Sequence, residues 1–460
     1  MTTPANDPQR LITRPVPRLI RQIAVPASVG FFFHTMYNVV DTYYGGLVST
    51  QALAALSLSL PVFFIIISLG SGLSSGTTAL IANAMGAGKH EEARLYAIQG
   101  ITFGNLTGLA LTGIGVRASP FLFSVLGASD EYLALALLYM NTLFLGAIFF
   151  LLVYMLNAVL NAMGETRPFR NFLIAGFLLN VGLDPWFIYG GAGLPGMGFP
   201  GIAIATVLIQ VVGAVYLGIK VHRSGLIQGK VWRDVLPKAA YFRDIAYQGF
   251  PASMNMLTVG IGIFVITYFV SRFGQDAVAA YGAAMRVEQI VLIPTLGLNV
   301  ATLTIVAQNN GAERFDRVWE TLRKTLRYGG LLMAGGTVLV FALSRVFMTL
   351  FTDDPDVIDI GAVYLKIDAL VLYAYVLLFV HIAALQGIKR PMFAIWIGLF
   401  RQIAAPALVF TLLTRVLDFG LLGIWWGIFG VTWSAALFTC VYARRLLKNR
   451  EAQGLKRLSP

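Results

Sequence analysis

The chain has 460 residues, of which 57% are hydrophobic and only 12% are charged, about half the charged share of an ordinary soluble domain. Its mean hydropathy is +0.74 and its formal net charge is +12. A soluble fold of this length could not bury so much apolar surface, and the uncharged run 144–164 alone can cross a bilayer core about 30 Å thick. The composition therefore indicates a polytopic helical membrane protein and excludes soluble enzymes, nucleic-acid-binding proteins and secreted disulfide-rich domains.

Twelve hydrophobic segments follow one another along the chain. We place them at residues 18–43, 53–82, 95–116, 132–162, 169–190, 197–221, 244–272, 277–308, 321–344, 358–387, 391–413 and 420–444. The first segment is expected to act as an uncleaved signal-anchor. The one cysteine, Cys440, cannot form an internal disulfide, and the four scattered histidines have no metal-ligand spacing. The predicted fold is therefore all-α and membrane-spanning.

The lysines and arginines are distributed asymmetrically over the connecting loops. The N-terminus, the even-numbered loops and the C-terminus hold 27 of the 34, whereas the odd-numbered loops hold four. Because cytoplasmic loops carry the excess of positive charge, both termini are predicted to lie in the cytoplasm of a multi-pass cell-membrane protein. The same rule explains the net charge of +12 without a nucleic-acid partner.

The second half of the chain repeats the first at a constant spacing in sequence. We call this spacing, which is the number of residues from Pro26 to Pro251, the repeat offset. It aligns Pro26-Ala27-Ser28 with Pro251-Ala252-Ser253, and a slip of two positions aligns Gly164 with Gly387. Six spans in each half give both halves the same orientation, so we expect two six-helix lobes related by a pseudo-twofold axis along the membrane normal. Transporters place substrates between such halves and expose them alternately to the two sides.

The repeat also sets the predicted domain limits. They are a cytoplasmic tail at 1–17, an N-terminal lobe at 18–221, a cytoplasmic linker at 222–243, a C-terminal lobe at 244–444 and a cytoplasmic tail at 445–460. Two further segments, 84–94 and 309–317, match each other after the second span of each half. Their glycines can end one helix and their charged residues can begin the next, so we interpret them as structural turns or anchors.

Ionisable residues inside spans cost about 2.5–3.5 kcal/mol each on insertion scales and therefore need a reason. The acidic ones are Asp41, Asp184, Glu288 and Asp368. Where the repeat matches the two first-half acids, the second half has Ile266 and Ala407. A symmetric scaffold that carries asymmetric acids indicates a function in the N-terminal lobe.

The neighbours of the first-half acids are polar as well. His34, Tyr37 and Asp41 fall at i, i+3 and i+7, so they share one face of the first span. Asn180 and Asp184 are one turn apart in the fifth span. Both spans run from the cytoplasm outwards, and both acids lie near the outer end, so the two carboxylates can reach a similar depth.

Thr206 of the sixth span can approach Asn180 at that depth. Two carboxylates, an amide and a hydroxyl all offer oxygen, which suits a hard monovalent cation or a shared proton. Two like charges in a low-dielectric site also resist ionising together, which suits a proton-coupled carrier. The alternative is that the acids only cap helix ends or pair with loop cations.

Other residues of the first half allow two interpretations each. Pro26 could bend the first span and move Asp41, or could form a purely structural kink, since Pro251 repeats it without an acid. Asn157 could line a cavity or hydrogen-bond between helices. Tyr139 could line the same cavity or lie in the interfacial aromatic belt.

The charged residues within the spans of the second half form a separate group. They are Arg286, Glu288, Lys366, Asp368 and Arg401. The neighbouring charges are spaced i and i+2 and do not face each other on one helix. Their partners must come from other spans, so we expect an interhelical ion-pair network or, alternatively, a second coupling or substrate site.

The order of these features resembles the multidrug and toxic compound extrusion (MATE) family, within the group of multidrug, oligosaccharidyl-lipid and polysaccharide exporters. The resemblance covers nearly the whole chain. It rests on Pro26 followed by Asp41, on Asn180 and Asp184 before Pro185, on the stretch 201–206 and on the second-half patterns 279–288 and 307–312. The first half is most similar to the prokaryotic branch named for a DNA-damage-inducible protein. The chain departs from the branch known for norfloxacin export in having no acid in the seventh span.

The resemblance implies roles for individual residues. The residues expected to bind the coupling cation are Asp41, Asn180, Asp184 and Thr206. Those expected to line the drug pocket are Tyr37, Tyr139 and Asn157, and we add His34 because it shares their helix face. We call the four residues expected to bind the cation the cation set. No cofactor is implied beyond a coupling ion, H⁺ or Na⁺, and no metal is expected other than Na⁺ at the cation set.

The implied function is a cation-coupled efflux antiporter for organic, often cationic, compounds. It would work by alternating access, with membrane lipid as its surroundings, as a monomer and not as an enzyme. The alternative within the same group is a flippase for lipid-linked oligosaccharide or polysaccharide precursors, which would want a basic cavity for the diphosphate. A membrane prenyl- or phosphotransferase would need metal-binding acids at a membrane face, but the only acidic run, 353–356, is in an external loop. A major-facilitator carrier would show inverted three-span repeats, which are not evident.

Overall fold

The computed structural model describes residues 9–127, 130–191, 193–228 and 231–458. Residues 1–8 and 459–460 of the predicted tails, and residues 229 and 230 of the predicted linker, lie outside this range. Within the described residues the chain is helical, and the extended pairing is limited to an isolated antiparallel bridge between Gly191 and Leu194. The structure therefore confirms the predicted all-α fold.

Among the described residues, nine α-helices belong to the first half and the linker. They are α1 (Arg10–Thr13), α2 (Val16–Val48), α3 (Thr50–Gly86), α4 (His90–Val125), α5 (Asp130–Leu145), α6 (Ala147–Ala162), α7 (Arg167–Tyr189), α8 (Pro200–Arg223) and α9 (Val231–Asp234). The helices α10 to α17 follow: α10 (Ala239–Val270), α11 (Gln275–Gly311), α12 (Phe315–Thr349), α13 (Pro355–Ala369), α14 (Leu372–Gly387), α15 (Met392–Leu399), α16 (Ala405–Thr411) and α17 (Gly420–Leu458). A 3₁₀ turn, Ser271–Phe273, ends α10, and π-helical segments Phe400–Ala404 and Leu412–Val416 flank α16.

The helices are long and apolar enough to account for all twelve predicted spans. Ten helical stretches among the described residues pass by length and hydropathy, and two bent pairs bring the total to twelve. The pairs are α5 with α6, bent by 46°, and α13 with α14, bent by 49°. The ends differ from the sequence limits, because the predicted polar tails contain α1 and the final turns of α17.

The repeat is visible in single hydrogen bonds. Thr112 donates to the carbonyl oxygen of Phe144 at 2.5 Å, and Thr337 donates to that of Ala369 at 2.7 Å. The repeat offset relates both the two donors and the two acceptors, and the acceptors lie just before the bends of the two broken spans. The two halves therefore share their local geometry as well as their order of helices.

One detail of the sequence alignment is wrong. Gly164 adopts a left-handed φ of 75°, and the corresponding turn of the second half has Lys389 at 61°. This correspondence keeps the full repeat offset, whereas the sequence had suggested Gly387. The correspondence of Gly164 with Lys389 could not be recognised from the sequence, because a residue with a left-handed backbone is usually glycine. At the same offset Val409, not Ala407, is the apolar counterpart of Asp184.

The chain forms two compact units. One contains residues 29–254 and the other contains residues 9–28 and 255–460. These limits differ from the predicted lobe limits, because α2 and α10 are each divided between the units. In the first unit, buried side chains of α3 to α6 form the core, including Phe123, Met140 and Phe144. In the second, one core cluster surrounds the fully buried Trp425.

The first residues of the described chain are part of the second unit's core. Leu11, Val16 and Leu19 are buried and pack with Leu298 and Ile305 of α11. Burying such side chains stabilises a fold by roughly 1.5–3 kcal/mol each. Residues 10–17, which we expected to belong to a polar tail, are therefore an anchored element.

Candidate functional site

The site is centred on one amide that holds two carboxylates. Nδ2 of Asn180 donates to Oδ1 of Asp41 at 2.9 Å and to Oδ1 of Asp184 at 3.0 Å. Asn180 and Asp184 are fully buried, and Asp41 is 7% exposed. The one-turn spacing on α7 places the amide below the Asp184 carboxylate, while α2 supplies Asp41. The structure thus brings together three of the four residues that we expected to bind the cation.

The site is rich in oxygen and poor in protein cations. The carboxylates of Asp41 and Asp184 accept from the same amide nitrogen of Asn180. Oδ1 of Asn180 and Oδ2 of Asp184 are buried acceptors without a donor in the described residues, and neither acid has a Lys, Arg or His ion pair there. Two buried carboxylates without a counter-ion are costly unless they share a proton or a metal ion. The donor set fits either H⁺ or Na⁺.

Thr206 joins this group through a partner that the sequence had assigned to the drug pocket. The hydroxyl of Tyr37 donates to Oγ1 of Thr206 at 3.0 Å. Thr206 is buried, and we had expected it to approach Asn180. The donor of this hydrogen bond, Tyr37, is the residue one turn before Asp41 on α2, and the approach of Thr206 to Asn180 stays a prediction. Tyr37 therefore links α2 to α8 beside the carboxylates.

A small cavity of about 40 Å³ lies next to Asp41. Its other lining residues are His34, Tyr37, Asn38, Phe63, Tyr139, Phe150, Phe172, Leu173, Gly176, Thr206, Ile209 and Gln210. By the room that one water needs, this volume holds about three water molecules. The cavity as it stands has the size for a small ion with water, and is too small for a drug-sized compound.

The residues predicted for the drug pocket separate into two groups. His34, Tyr37 and Tyr139 line the cavity, and the ring of Tyr139 stacks on that of Phe199 at 5.3 Å. Asn157 is buried on α6 but is not a lining residue, and its Oδ1 has no donor in the described part of the chain. Their role in substrate binding stays a prediction.

Sequence reasoning missed Tyr44. Pro185 has no N–H group, so the carbonyl of Val181 loses its helical donor next to Asp184. The hydroxyl of Tyr44, from α2, donates to this carbonyl at 3.2 Å. The sequence signal was Pro185 inside the fifth span, because a proline within a helix leaves the carbonyl four residues earlier in need of another donor. Gln210 was also missed, although it follows Thr206 by one turn in an otherwise apolar helix.

Pro26 lies inside α2, which is one continuous helix from Val16 to Val48. The two compact units divide this helix between Ser28 and Val29, two residues after the proline. A helical proline removes one backbone hydrogen bond and weakens the helix there. The hinge role of Pro26 stays a prediction.

The charged residues of the second half do not form the expected ion pairs. Oε2 of Glu288 accepts a hydrogen bond from the hydroxyl of Tyr364 at 2.9 Å. The guanidinium of Arg401 lies 5.5 Å from the ring centre of Tyr375. Arg401 belongs to the π-helical segment Phe400–Ala404. Tyrosine hydroxyls and ring faces thus lie beside these charged groups.

The remaining members of this group are Lys366, Arg286 and Asp368. The ammonium group of Lys366 lies 6.0 Å from the ring centre of Phe341, Arg286 is exposed, and Asp368 is buried with its Oδ1 lacking a donor in the described residues. Within those residues no ion pair shorter than 4 Å joins Arg286, Glu288, Lys366, Asp368 and Arg401. In the same described part of the chain, no three His, Cys, Asp or Glu side chains cluster closely enough to hold a metal ion.

Comparison with known proteins gives the family. The profile of the MatE family matches residues 26–186 and 251–411, two stretches that the repeat offset superimposes. A probable multidrug resistance protein YoeA of Bacillus subtilis is 31% identical over 329 residues, which cover 69% of each chain. A probable multidrug resistance protein NorM of Thermotoga maritima is 26% identical, covering 88% of this chain and 87% of that one. A FAD transporter of Shewanella oneidensis is also 26% identical, covering 86% and 88%.

Solved structures agree with the sequence matches. A crystal structure described as MATE in the bent conformation is 25% identical and superposes with a TM-score of 0.91, covering 99% of this chain and all of that one. An outward-facing multidrug resistance MATE family transporter is 24% identical, with a TM-score of 0.90 and coverage of 98% and 100%. The profile covers most of the chain in both halves. The chain therefore belongs to the multidrug and toxic compound extrusion (MatE) family of membrane transporters.

Proposed function

We propose that this protein is a cation-coupled antiporter that exports organic, often cationic, compounds by alternating access. It would act as a monomer in the cell membrane, with both termini in the cytoplasm. The observation that carries the proposal is the buried pair of Asp41 and Asp184, bridged by the amide of Asn180 and without a cationic partner among the described residues. A carrier needs such a group, because its charge must be neutralised by the ion that it takes up and must return when the ion leaves.

The cation binds between the two carboxylates and neutralises their repulsion. Asn180 then holds both acids in one place, and Tyr37 fixes α2 to α8 beside them. The outer part of α2 moves with Asp41 as the helix bends at Pro26, and the compound is expelled. One positive charge that crosses the membrane supplies about 2.3 kcal/mol per 100 mV, so one cation per cycle supports a useful gradient.

The substrate class is supported by the names of the relatives, since several are multidrug resistance or multidrug export proteins. The flippase alternative would need basic residues to hold a diphosphate. Within the spans the basic residues that could do so are few, namely Arg286, Lys366 and Arg401, which favours the antiporter. Because one relative is a FAD transporter, a flavin is included as a second test substrate.

Efflux from proteoliposomes tests the proposal. We would load ethidium or FAD and impose either a pH gradient or a Na⁺ gradient on vesicles that contain wild-type protein, Asp41→Asn or Asp353→Asn. Asp353 is an exposed acid between α12 and α13 and serves as the matched control. We expect one gradient to drive ethidium efflux in the wild type and the control, and at least a hundredfold loss in Asp41→Asn. If neither gradient drives efflux of either compound, the antiporter proposal fails and lipid-linked substrates are tested next.

A further inference from the structure

The segment that leads into α10 is fastened to α4 by a buried glutamine. Gln99 is fully buried, and its Nε2 donates to the carbonyl oxygens of Asp234 at 2.5 Å and Leu236 at 2.8 Å. Its Oε1 accepts from the backbone N–H of Lys238 at 2.8 Å. Both amide protons and the amide oxygen are therefore used on the backbone of one short segment. We call this set the linker clamp.

Charged groups reinforce the linker clamp at its surface. Arg94 donates to the carbonyl of Gln228 at 2.8 Å and to the carboxylate of Asp234 at 2.9 Å, and Lys238 pairs with the same carboxylate at 2.7 Å. The hydrogen bonds from Lys238 and Arg94 hold the pKa of Asp234 below its usual range. Residues 234–238 of the predicted linker are thus fixed to α4, whereas a flexible connection would have few such contacts.

An equivalent arrangement holds the segment that leads into α2. Arg317 of α12 is buried and donates to the carbonyl oxygens of Leu11 at 3.3 Å and Arg14 at 2.6 Å. Its Nε donates to Oδ1 of Asn309 at 3.0 Å, and Nδ2 of Asn309 donates to the carbonyl of Leu11 at 3.1 Å. We call this set the N-terminal clamp.

The two clamps hold the same backbone position of the repeat. The repeat offset carries Leu11 onto Leu236, and each carbonyl is the acceptor of its clamp. The donors lie on the corresponding helices α4 and α12. Arg317 corresponds to Glu92, two helical turns before Gln99, so both project from the same helix face. A glutamine in one half and an arginine in the other donate to the same carbonyl position of the repeat. Because the two donor residues differ in type, the sequence repeat does not reveal the clamps.

The clamps restrict where the chain can bend. The units divide α2 between Ser28 and Val29 and α10 between Met254 and Asn255, within four residues after Pro26 and Pro251. Each clamp fixes the lead-in segment to the unit that holds the first part of the helix. The segment therefore offers no slack, and the weakest remaining point is the turn where proline removes a backbone hydrogen bond.

We propose that Gln99 and Arg317 are positioning residues, which immobilise the lead-in segments of α10 and α2 so that the transport movement is taken up inside these helices. The transport part of this inference rests on the proposed function. The residues touch neither the cation set nor the cavity. Their loss therefore slows the cycle without changing the affinity of the coupling cation.

Amide hydrogen exchange and transport test the inference together. The variants are Gln99→Leu and Arg317→Met. The matched controls make the same changes at exposed positions, Gln51→Leu and Arg327→Met. We expect amides of 234–239 to exchange at least tenfold faster in Gln99→Leu, and those of 11–15 in Arg317→Met. The maximal rate of ethidium efflux falls about five- to tenfold in both, while the cation concentration for half-maximal efflux stays within twofold of the wild type.

Faster exchange with an unchanged efflux rate would overturn the inference, as would unchanged exchange. Gln99→Glu and Arg317→Lys keep part of each clamp and give intermediate exchange, which provides the same test if the apolar variants do not fold. Exchange is measured without substrate or gradient. If the wild type shows no coupled efflux, the proposed function fails, and the transport role of the clamps fails with it even where exchange responds as expected.

Discussion

The hydroxyl of Tyr37 donates to the hydroxyl of Thr206 at 3.0 Å, one turn below the carboxylate of Asp41 on α2. The outer part of α2 is held at three points. Tyr37 ties it to α8, Asp41 ties it to α7 through Asn180, and Tyr44 ties it to the Val181 carbonyl of α7. Any movement of this part of α2 must break or carry these contacts, so cation binding and helix position are expected to depend on each other.

Replacement of Tyr37 by phenylalanine removes one of these contacts and leaves the ring in the cavity. A buried hydrogen bond contributes about 0.5–1.5 kcal/mol, so we expect the cation concentration for half-maximal ethidium efflux to rise roughly three- to tenfold. The control is Tyr43→Phe on the same helix, where the side chain is exposed. Equal cation dependence in the two variants would contradict the role of the Tyr37 hydroxyl.

Tyr44 and Pro185 form a second testable pair. Tyr44→Phe leaves the carbonyl of Val181 without its donor, because Pro185 cannot supply one. An unpaired carbonyl at membrane depth costs free energy, here about 1–2 kcal/mol. We therefore expect the thermal midpoint of the detergent-solubilised protein to fall by roughly 1–2 °C, because a chain of this length has a large unfolding entropy.

A double-mutant cycle isolates this cause. In a Pro185→Ala background the backbone N–H of residue 185 can bond the Val181 carbonyl, so the same Tyr44→Phe change is expected to have little effect. The coupling energy is read from the four thermal midpoints. Equal losses in both backgrounds would show that the Tyr44 hydroxyl does not act through the Val181 carbonyl.

Asn180 is expected to be essential for the response to the coupling cation. Its replacement by leucine removes two hydrogen bonds to charged groups, each of which contributes about 1.5–3 kcal/mol, and leaves two facing carboxyls without their shared donor. We expect stabilisation by the coupling cation, measured as the shift of the thermal midpoint with pH or Na⁺, to disappear. Asn171→Leu, at an exposed position of the same helix, keeps the shift. A cation-dependent shift that persists in Asn180→Leu would exclude Asn180 from the site.

The sequence was sufficient for the features that depend on spacing within one helix. Asn180 and Asp184 are one turn apart, so their contact followed from helical periodicity alone. The twelve spans followed from hydropathy in the same way. Contacts between helices were less accessible, because they depend on how each helix is rotated. Thr206 was placed near Asn180 for its depth, and its hydrogen bond with Tyr37 of α2 could not be read from spacing along either helix.

The second half shows the other limit of sequence reasoning. Glu288, Lys366 and Arg401 were expected to pair with opposite charges, since unpaired charges are costly in spans. No ion pair shorter than 4 Å joins them among the described residues, and a tyrosine hydroxyl and two aromatic ring faces lie against them. Aromatic side chains are frequent in any membrane helix, so nothing in the sequence distinguishes those that face a charge from those that face lipid.

The orientation in the membrane gives a further prediction. In a Cys440→Ser background, which has no other cysteine, we would introduce Asp353→Cys between α12 and α13 and Arg223→Cys at the end of α8. Because the positive charges favour the cytoplasm, an impermeant maleimide is expected to label position 353 in intact cells and position 223 only after permeabilisation. The reverse pattern would contradict the predicted topology.

Close packing of α3 against the start of α10 gives the last prediction. A Cβ atom at Gly76 would lie 2.5 Å from the backbone nitrogen of Gly249, and one at Gly72 would overlap that of Ser253. Backbone cannot move aside as a flexible side chain can, so Gly76→Ala forces the two helices apart. We expect a loss of about 1–3 kcal/mol of stability. Gly218→Ala is the control, since no described atom lies within 4 Å of its Cβ and alanine favours a helix by up to about 1 kcal/mol. Equal thermal midpoints in the two variants would mean that these helices do not meet as closely as their backbones indicate.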